Sequence, residues 1–147
     1  YNVPVTMTVE EGQSGGGGDA EIISCHDDLQ FTITSCTISG TTATLSYMVE
    51  NIGNKSIDLT LYGNAGGRSY IYDDQGNQYD FGYNIAWLTL GTKESHGSVT
   101  TTIPGGVYVK GSIVIKNVDT LATEMSNIAI YAYSHGEVVT FKNIAIR

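Results

Sequence analysis

The stretch Pro104-Gly105-Gly106-Val107-Tyr108-Val109-Lys110-Gly111-Ser112-Ile113-Val114-Ile115-Lys116 carries the cleanest alternation in the chain. Val107, Val109, Gly111, Ile113 and Ile115 fall on one side, opposite Tyr108, Lys110, Ser112 and Lys116. A period of two is the signature of a strand with one buried face. The expectation is a strand entered through a Pro-Gly-Gly turn, with Val107, Val109, Ile113 and Ile115 against a core.

The same period recurs on either side. Phe31 and Ile33 alternate with Thr32 and Thr34, and Ser39-Gly40-Thr41 reads as a turn. Leu45, Tyr47 and Val49 face away from Thr44, Ser46 and Glu50, and Asn51-Ile52-Gly53-Asn54 breaks the run. Ile57, Leu59 and Leu61 give another strand, followed by a Gly63 to Gly67 loop. Tyr70 to Tyr72 leads into Asp73-Asp74-Gln75-Gly76-Asn77, a hairpin signal with Gly76 free to take positive φ. Val99 to Ile103 and Ile128 to Ala132 continue the pattern. Val139 and Phe141 shift phase to Ile144 and Ile146 across Asn143, which suggests a bulge. Gly82 to Leu90 is ambiguous and has room for a helical turn around Trp87. Asp119 to Met125 is the one short helix expected, with Asp119 as its N-cap.

Short strands with turns every eight to twelve residues indicate a sandwich or barrel. Composition agrees. Thr (17), Ile (15), Val (11) and Tyr (10) suit a pleated surface and lose side-chain freedom in helices. A chain of 147 residues makes one domain with a core that needs no disulfide or metal. The fold class expected is all-β, an antiparallel β-sandwich of about 8–10 strands with at most one short helical turn. Seven basic against fifteen acidic residues leave no basic face to neutralise phosphates, so nucleic acid is not an expected partner. No apolar run reaches the roughly 18 residues of a membrane-spanning helix.

The charge is uneven. Residues 1–28 hold Glu10, Glu11, Asp19, Glu21, Asp27 and Asp28 with no Lys or Arg, whereas 29–147 hold nine acids and seven bases. Residues 1–28 therefore read as an acidic, Gly-rich N-terminal segment. Its Glu10 to Glu21 part is expected to be flexible, with a candidate first strand within 3–9, and the sandwich is expected over 29–147. Cys25 and Cys36, eleven positions apart, would sit about 35 Å apart along one extended strand, far beyond disulfide reach, so two free thiols are favoured over a bridge.

The order of Thr42 to Leu61, Tyr70 to Phe81, Pro104 to Asp119 and Ser126 to Arg147 resembles the telokin-like, immunoglobulin-like domains of bacterial exported proteins and lipoproteins. There a strand ending in Val-x-Asn, here Val49-Glu50-Asn51, precedes an Asp-x-x-Gly hairpin flanked by tyrosines, here Asp73 to Gly76. A Pro-Gly-Gly entry into a long central strand follows. The resemblance covers 29–147. It implies an immunoglobulin-like β-sandwich, exported to the periplasm or outer cell surface, in a family of unknown function with no catalytic residues to carry over. Any lipid anchor would lie upstream of Tyr1.

Catalytic strings are matched by letters only. Gly12-Gln13-Ser14-Gly15-Gly16 fits G-x-S-x-G, but no helix follows to make a nucleophile elbow. Gly15 to Ala20 likewise lacks the helix N-terminus that a pyrophosphate needs. His26, His96 and His135 are scattered, with no metal-ligand spacing, and read as loop histidines. Asp73, Asp74 and Asn77 miss the EF-hand order and read as a solvated turn. Asp73/Asp80 and Glu50/Asp58 are carboxylate pairs with no pattern that singles them out for glycoside hydrolysis. No metal or cofactor is expected. The chemistry-bearing stretch is Tyr70 to Trp87, where aromatics interleave with acids and amides. Such faces stack on sugar rings or grip protein hot spots, although alternate aromatics also fill sandwich cores. The candidate binding residues are Tyr72, Asp73, Asp74, Tyr79, Tyr83 and Trp87. The expectation is a non-catalytic exported module with a protein-interaction or adhesion role. The alternatives are a carbohydrate-binding module using the aromatics near Trp87, or a small hydrolase.

Overall fold

The structure, a computed structural model, describes residues 2–4, 19–63, 67–132, 135 and 137–147. Among the described residues thirteen strands pair antiparallel into two sheets that pack as a sandwich. Nine of them have four or more residues. One sheet runs β3 (Leu29–Ser39), β4 (Thr42–Asn51), β11 (Tyr108–Ile115), β8 (Ala86–Leu90), β9 (Lys93–Ser95). The other runs β1 (Asn2–Pro4), β2 (Glu21–Ile23), β13 (Glu137–Ala145), β12 (Glu124–Ala132), β5 (Ile57–Tyr62), β10 (Ser98–Ile103). In it β6 (Tyr70–Asp73) also pairs with β12, and β7 (Gln78–Tyr79) pairs with β6.

Alternate side chains of the two sheets make the two inner faces. Phe31, Ile33, Leu45, Tyr47, Val49, Leu88, Leu90, Ile113 and Ile115 line one face, and Ile22, Leu59, Leu61, Ile71, Ile128, Ile130, Val139 and Phe141 the other. Phe31 and Tyr47 meet Phe141 across the gap, with ring centroids 5.9 to 6.1 Å apart. Gly111 makes room for this packing. The Tyr47 ring lies where a Cβ at 111 would go, and the Tyr47 hydroxyl donates to the Thr89 carbonyl at 3.0 Å.

Asn51, which ends β4, explains why Val-x-Asn and Pro-Gly-Gly occur together. Fully buried, its Nδ2 donates to the carbonyls of Lys55 (2.6 Å) and Ile103 (2.9 Å), and its Oδ1 accepts from Gly53 N (3.0 Å). Its own N–H bonds Val107 O, and its C=O accepts from Gly106 N. The Pro104–Gly106 turn is thereby docked onto the β4 end. This also corrects the reach of the alternation. Val107 belongs to that turn, its N–H bonded to Pro104 O, and is 42% exposed; Val109 is half-buried.

The phase shift near Asn143 is present, with Asn143 at φ 57 and an irregular β6–β12 register between Met125 and Asn127. No helix forms over Asp119 to Met125. Asp119 caps a single turn, accepting from Leu121 N (2.9 Å) and Ala122 N (3.0 Å). The Asp74 carboxylate then captures Thr123 N and Oγ1, and strand β12 starts at Glu124. Gly82 to Leu90 likewise resolves into a tight turn and strand β8, not a helical turn around Trp87. Cys25 and Cys36 are free and buried. Burial pushes both thiols up to about 12. The Asn2–Pro4 part of the expected first strand pairs with β2; residues 5–9, the glycine tract and the G-x-S-x-G string lie outside the described residues. Among the described residues no helix is long and apolar enough to cross a membrane.

Candidate binding cleft

The six candidate residues separate into three environments. Asp73 and Tyr79 turn inward. Asp73 is 3% exposed, and its carboxylate accepts from Gln75 N (2.8 Å), Asn77 N (2.9 Å), Asn77 Nδ2 (2.9 Å) and the Tyr79 hydroxyl (2.7 Å). Tyr79 accepts in turn from Asp119 N at 2.9 Å, and Asn77 Nδ2 also reaches the Asp119 carboxylate at 2.8 Å. Burial alone would raise the Asp73 carboxyl, but these bonds to Asn77, Tyr79 and Gln75 outweigh it and hold the group below its ordinary value. Burial and the facing Asp73 push the Tyr79 hydroxyl up to about 12. Asp74 is also held low, its slight desolvation outweighed by Thr123 and Glu124. Asp73, Asp74 and Tyr79 thus lock the β6–β7 hairpin to the turn before β12.

Tyr72 points outward beside Tyr70, with centroids 5.5 Å apart, and its hydroxyl donates to Gln78 Oε1 at 3.1 Å. It lies on the outer face of the eight-stranded sheet. Trp87, outward on β8, lies on the outer face of the five-stranded sheet. Tyr72 and Trp87 therefore sit on opposite sides of the molecule.

Tyr83 and Trp87 come together. The Gly82–Ala86 turn, closed by Gly82 N to Ala86 O (3.0 Å) and Ile85 N to Gly82 O (3.1 Å), projects Tyr83 until it is 78% exposed. Asn84 takes φ 69 there, a conformation its short amide tolerates. A cleft of about 470 Å³ lies between Tyr83 and Trp87, completed by Asn84, Glu94, Ser95, His96 and Lys116. Lys116 places its ammonium 5.2 Å from the Trp87 ring centroid, and its backbone N–H is fixed to Ile85 O at 2.7 Å. The His96 ring meets Tyr83 edge-on at 6.3 Å. Glu94, Ser95 and His96 arrive by the β8–β9 hairpin, which turns at Gly91 (φ 61) and sets Glu94 opposite Thr89. Leu90-Gly91-Thr92-Lys93 is the sequence signal for that hairpin, and it would have brought these three residues back to Trp87.

The partners in the two carboxylate pairs do not face each other. Glu50 stands in the five-stranded sheet and Asp58 in the other, while Asp73 is taken up internally and the exposed Asp80 accepts from Gln78. Two of the three scattered histidines do meet: the rings of His26 and His135 lie 4.8 Å apart, and burial together with His26 holds His135 below its ordinary value. Among the described residues no group of three His, Cys, Asp or Glu is placed to hold a metal ion.

No family model matches the chain, and no curated protein matches it. Among solved structures, the apo PmoF2 PCuAC domain is similar at a TM-score of 0.43 and 11% identity, over 90% of this chain and 94% of that one. That likeness is too distant to carry a function across.

Proposed function

We propose that this chain is a non-catalytic binding module that recognises a glycan through the Tyr83–Trp87 cleft. The observation that carries the reading is the cleft's composition. An exposed Tyr and a half-buried Trp supply apolar ring faces, and Asn84, Glu94, Ser95 and His96 surround them with hydrogen-bonding groups. A sugar presents that same combination, C–H faces rimmed by hydroxyls. Among the described residues Glu94 is the one carboxylate that lines the cleft, and a single carboxylate suits binding better than hydrolysis. The setting we propose is outside the cytoplasm, in the periplasm or at the cell surface, as the resemblance of the strand and hairpin order implies.

A protein-interaction or adhesion role is the second reading. It is favoured by Ile85, 41% exposed beside Tyr83, which together make an apolar projection of the kind a protein hot spot uses.

Glycan-array binding by wild type, Tyr83→Ala and Trp87→Ala tests the primary reading. Selective binding to one glycan class, lost in both variants, is the expected result. An array with no selective binding, or binding indifferent to both substitutions, contradicts it.

A further inference from the structure

The cleft is one end of a longer feature. The register of the five-stranded sheet aligns Glu94, Thr89, Ser112, Ser46 and Ser35 in a single row across β9, β8, β11, β4 and β3. All five residues stand on the outer face, where the row's Ser and Thr side chains are half-buried between their neighbours. At the far end a second depression of about 430 Å³ opens around Thr34, Ser35, Ser46, Met48 and Lys110. It forms where the β3–β4 register slips between Ile33 and Ser35. One face thus carries an aromatic cleft, a row of hydroxyls and a second hollow in a line.

We propose that this line is an extended site for a linear, β-linked neutral glycan that crosses the strands, with one sugar seated at Trp87 and the chain running over Thr89, Ser112, Ser46 and Ser35. The inference rests on the glycan reading of the cleft and deepens it. Three features select this occupant.

The first is spacing. Neighbouring strands lie about 4.8 Å apart, so the hydroxyls of Thr89, Ser112, Ser46 and Ser35 stand one per step over roughly 14 Å. That step is close to the length of one pyranose in an extended chain. A flat face suits such a chain, whereas α-linked chains that coil would touch it only in part. The second is hydrogen-bond character. Each hydroxyl both donates and accepts, as a sugar hydroxyl does. On the opposite sheet the outward threonines of β5 and β10 are engaged with neighbours instead, Thr60 with Thr100 at 3.0 Å and Thr102 with Asp58 at 2.6 Å. The third is charge. The chain carries −8, yet this face holds Lys110 and Lys116 against Glu50 and Glu94. It is nearly balanced, which matches an uncharged ligand and offers no field to gather a polyanion.

Trp87 is the chain's only tryptophan, so its fluorescence reports on the cleft alone. The test titrates the full chain with cello-, chito- and xylo-oligosaccharides of one to six units, following Trp87 emission and heat of binding; the three series distinguish the sources of such a chain. Affinity in one series is expected to rise at least about tenfold from one to four units, as two or three net hydrogen bonds would supply, and then to level off. Ser46→Tyr blocks the row about two strands, or roughly 10 Å, from Trp87. It is expected to reduce hexamer affinity to the monomer's while leaving the monomer response unchanged. The double variant Ser46→Ala/Ser112→Ala removes the hydroxyls without added bulk and is expected to weaken the hexamer several-fold, which keeps the test open if the Tyr variant fails to fold. Equal affinity for one and six units, or hexamer binding untouched by both variants, overturns the extended site while leaving the cleft. No response of Trp87 to any sugar overturns both.

Discussion

Ile113 and Val107 lie on the same side of one sequence alternation, and the fold separates them. Ile113 is fully buried at the centre of the five-stranded sheet, paired with Leu45 on one side and Leu88 on the other. Truncation to Ala removes three carbon groups at about 0.8 kcal/mol each, or about 2.4 kcal/mol of transfer free energy. A residual cavity adds to this, because flanking strands collapse only partly, so the total should fall within about 2–5 kcal/mol. Val107→Ala acts on a turn residue 42% exposed and should cost under about 0.5 kcal/mol. Urea unfolding of the two variants beside wild type measures the contrast, with unchanged m-values licensing the comparison. A loss below 1 kcal/mol for Ile113→Ala, or equal losses for the two, would refute the assignment of the inner face.

Gly111→Ala should destabilise by at least about 1–3 kcal/mol, since the new methyl displaces the Tyr47 ring from its seat; a neutral result in the same urea assay would mean that Tyr47 packs elsewhere. The depressed folded-state carboxyls of Asp73 and Asp74 contribute stability that is complete above the ordinary Asp value near 4 and is lost as pH falls through the folded values. Thermal melts between pH 7 and pH 2 should therefore show a steep acid limb that Asp73→Asn flattens; identical limbs would remove Asp73 from the lock. Both thiols, buried and pushed up to about 12, should resist a thiolate-selective reagent at pH 8 in native protein and react fully in guanidinium, with fast native labelling the contrary outcome.

Periodicity reveals faces well and rims poorly. The inward sets of β3, β4 and the Ile113–Ile115 part of β11 follow from alternation, since each strand places every second side chain on one face. Val107 keeps the alternation but sits past the last β4 pair, where Asn51 gathers the turn, and nothing in the letters marks that limit. Asp119 carries a proper N-cap signal, yet Asp74, 45 positions earlier in the chain, captures Thr123 and ends the turn. Such tertiary competition is invisible to local propensity. The candidate site was legible in kind rather than in place. Aromatics among acids marked Tyr70 to Trp87, and Tyr83 and Trp87 do share a cleft. The sequence leaves the setting of Trp87 open, and nothing in it shows that β6 and β8 belong to different sheets. The polar partners of Trp87 come from β9 and the end of β11, which only the register brings together.

A single ¹H–¹⁵N correlation experiment, recorded on the full chain as an oligosaccharide from the responding series is added, tests the glycan-binding reading most directly. The lone indole N–H of Trp87 and the amides of Tyr83, Asn84 and His96 should shift together and saturate at one affinity, with Tyr72, Asp73 and Tyr79 unmoved. Shifts centred on the Tyr70 to Tyr79 hairpin, or an indole signal that stays in place at saturating sugar, would contradict the account.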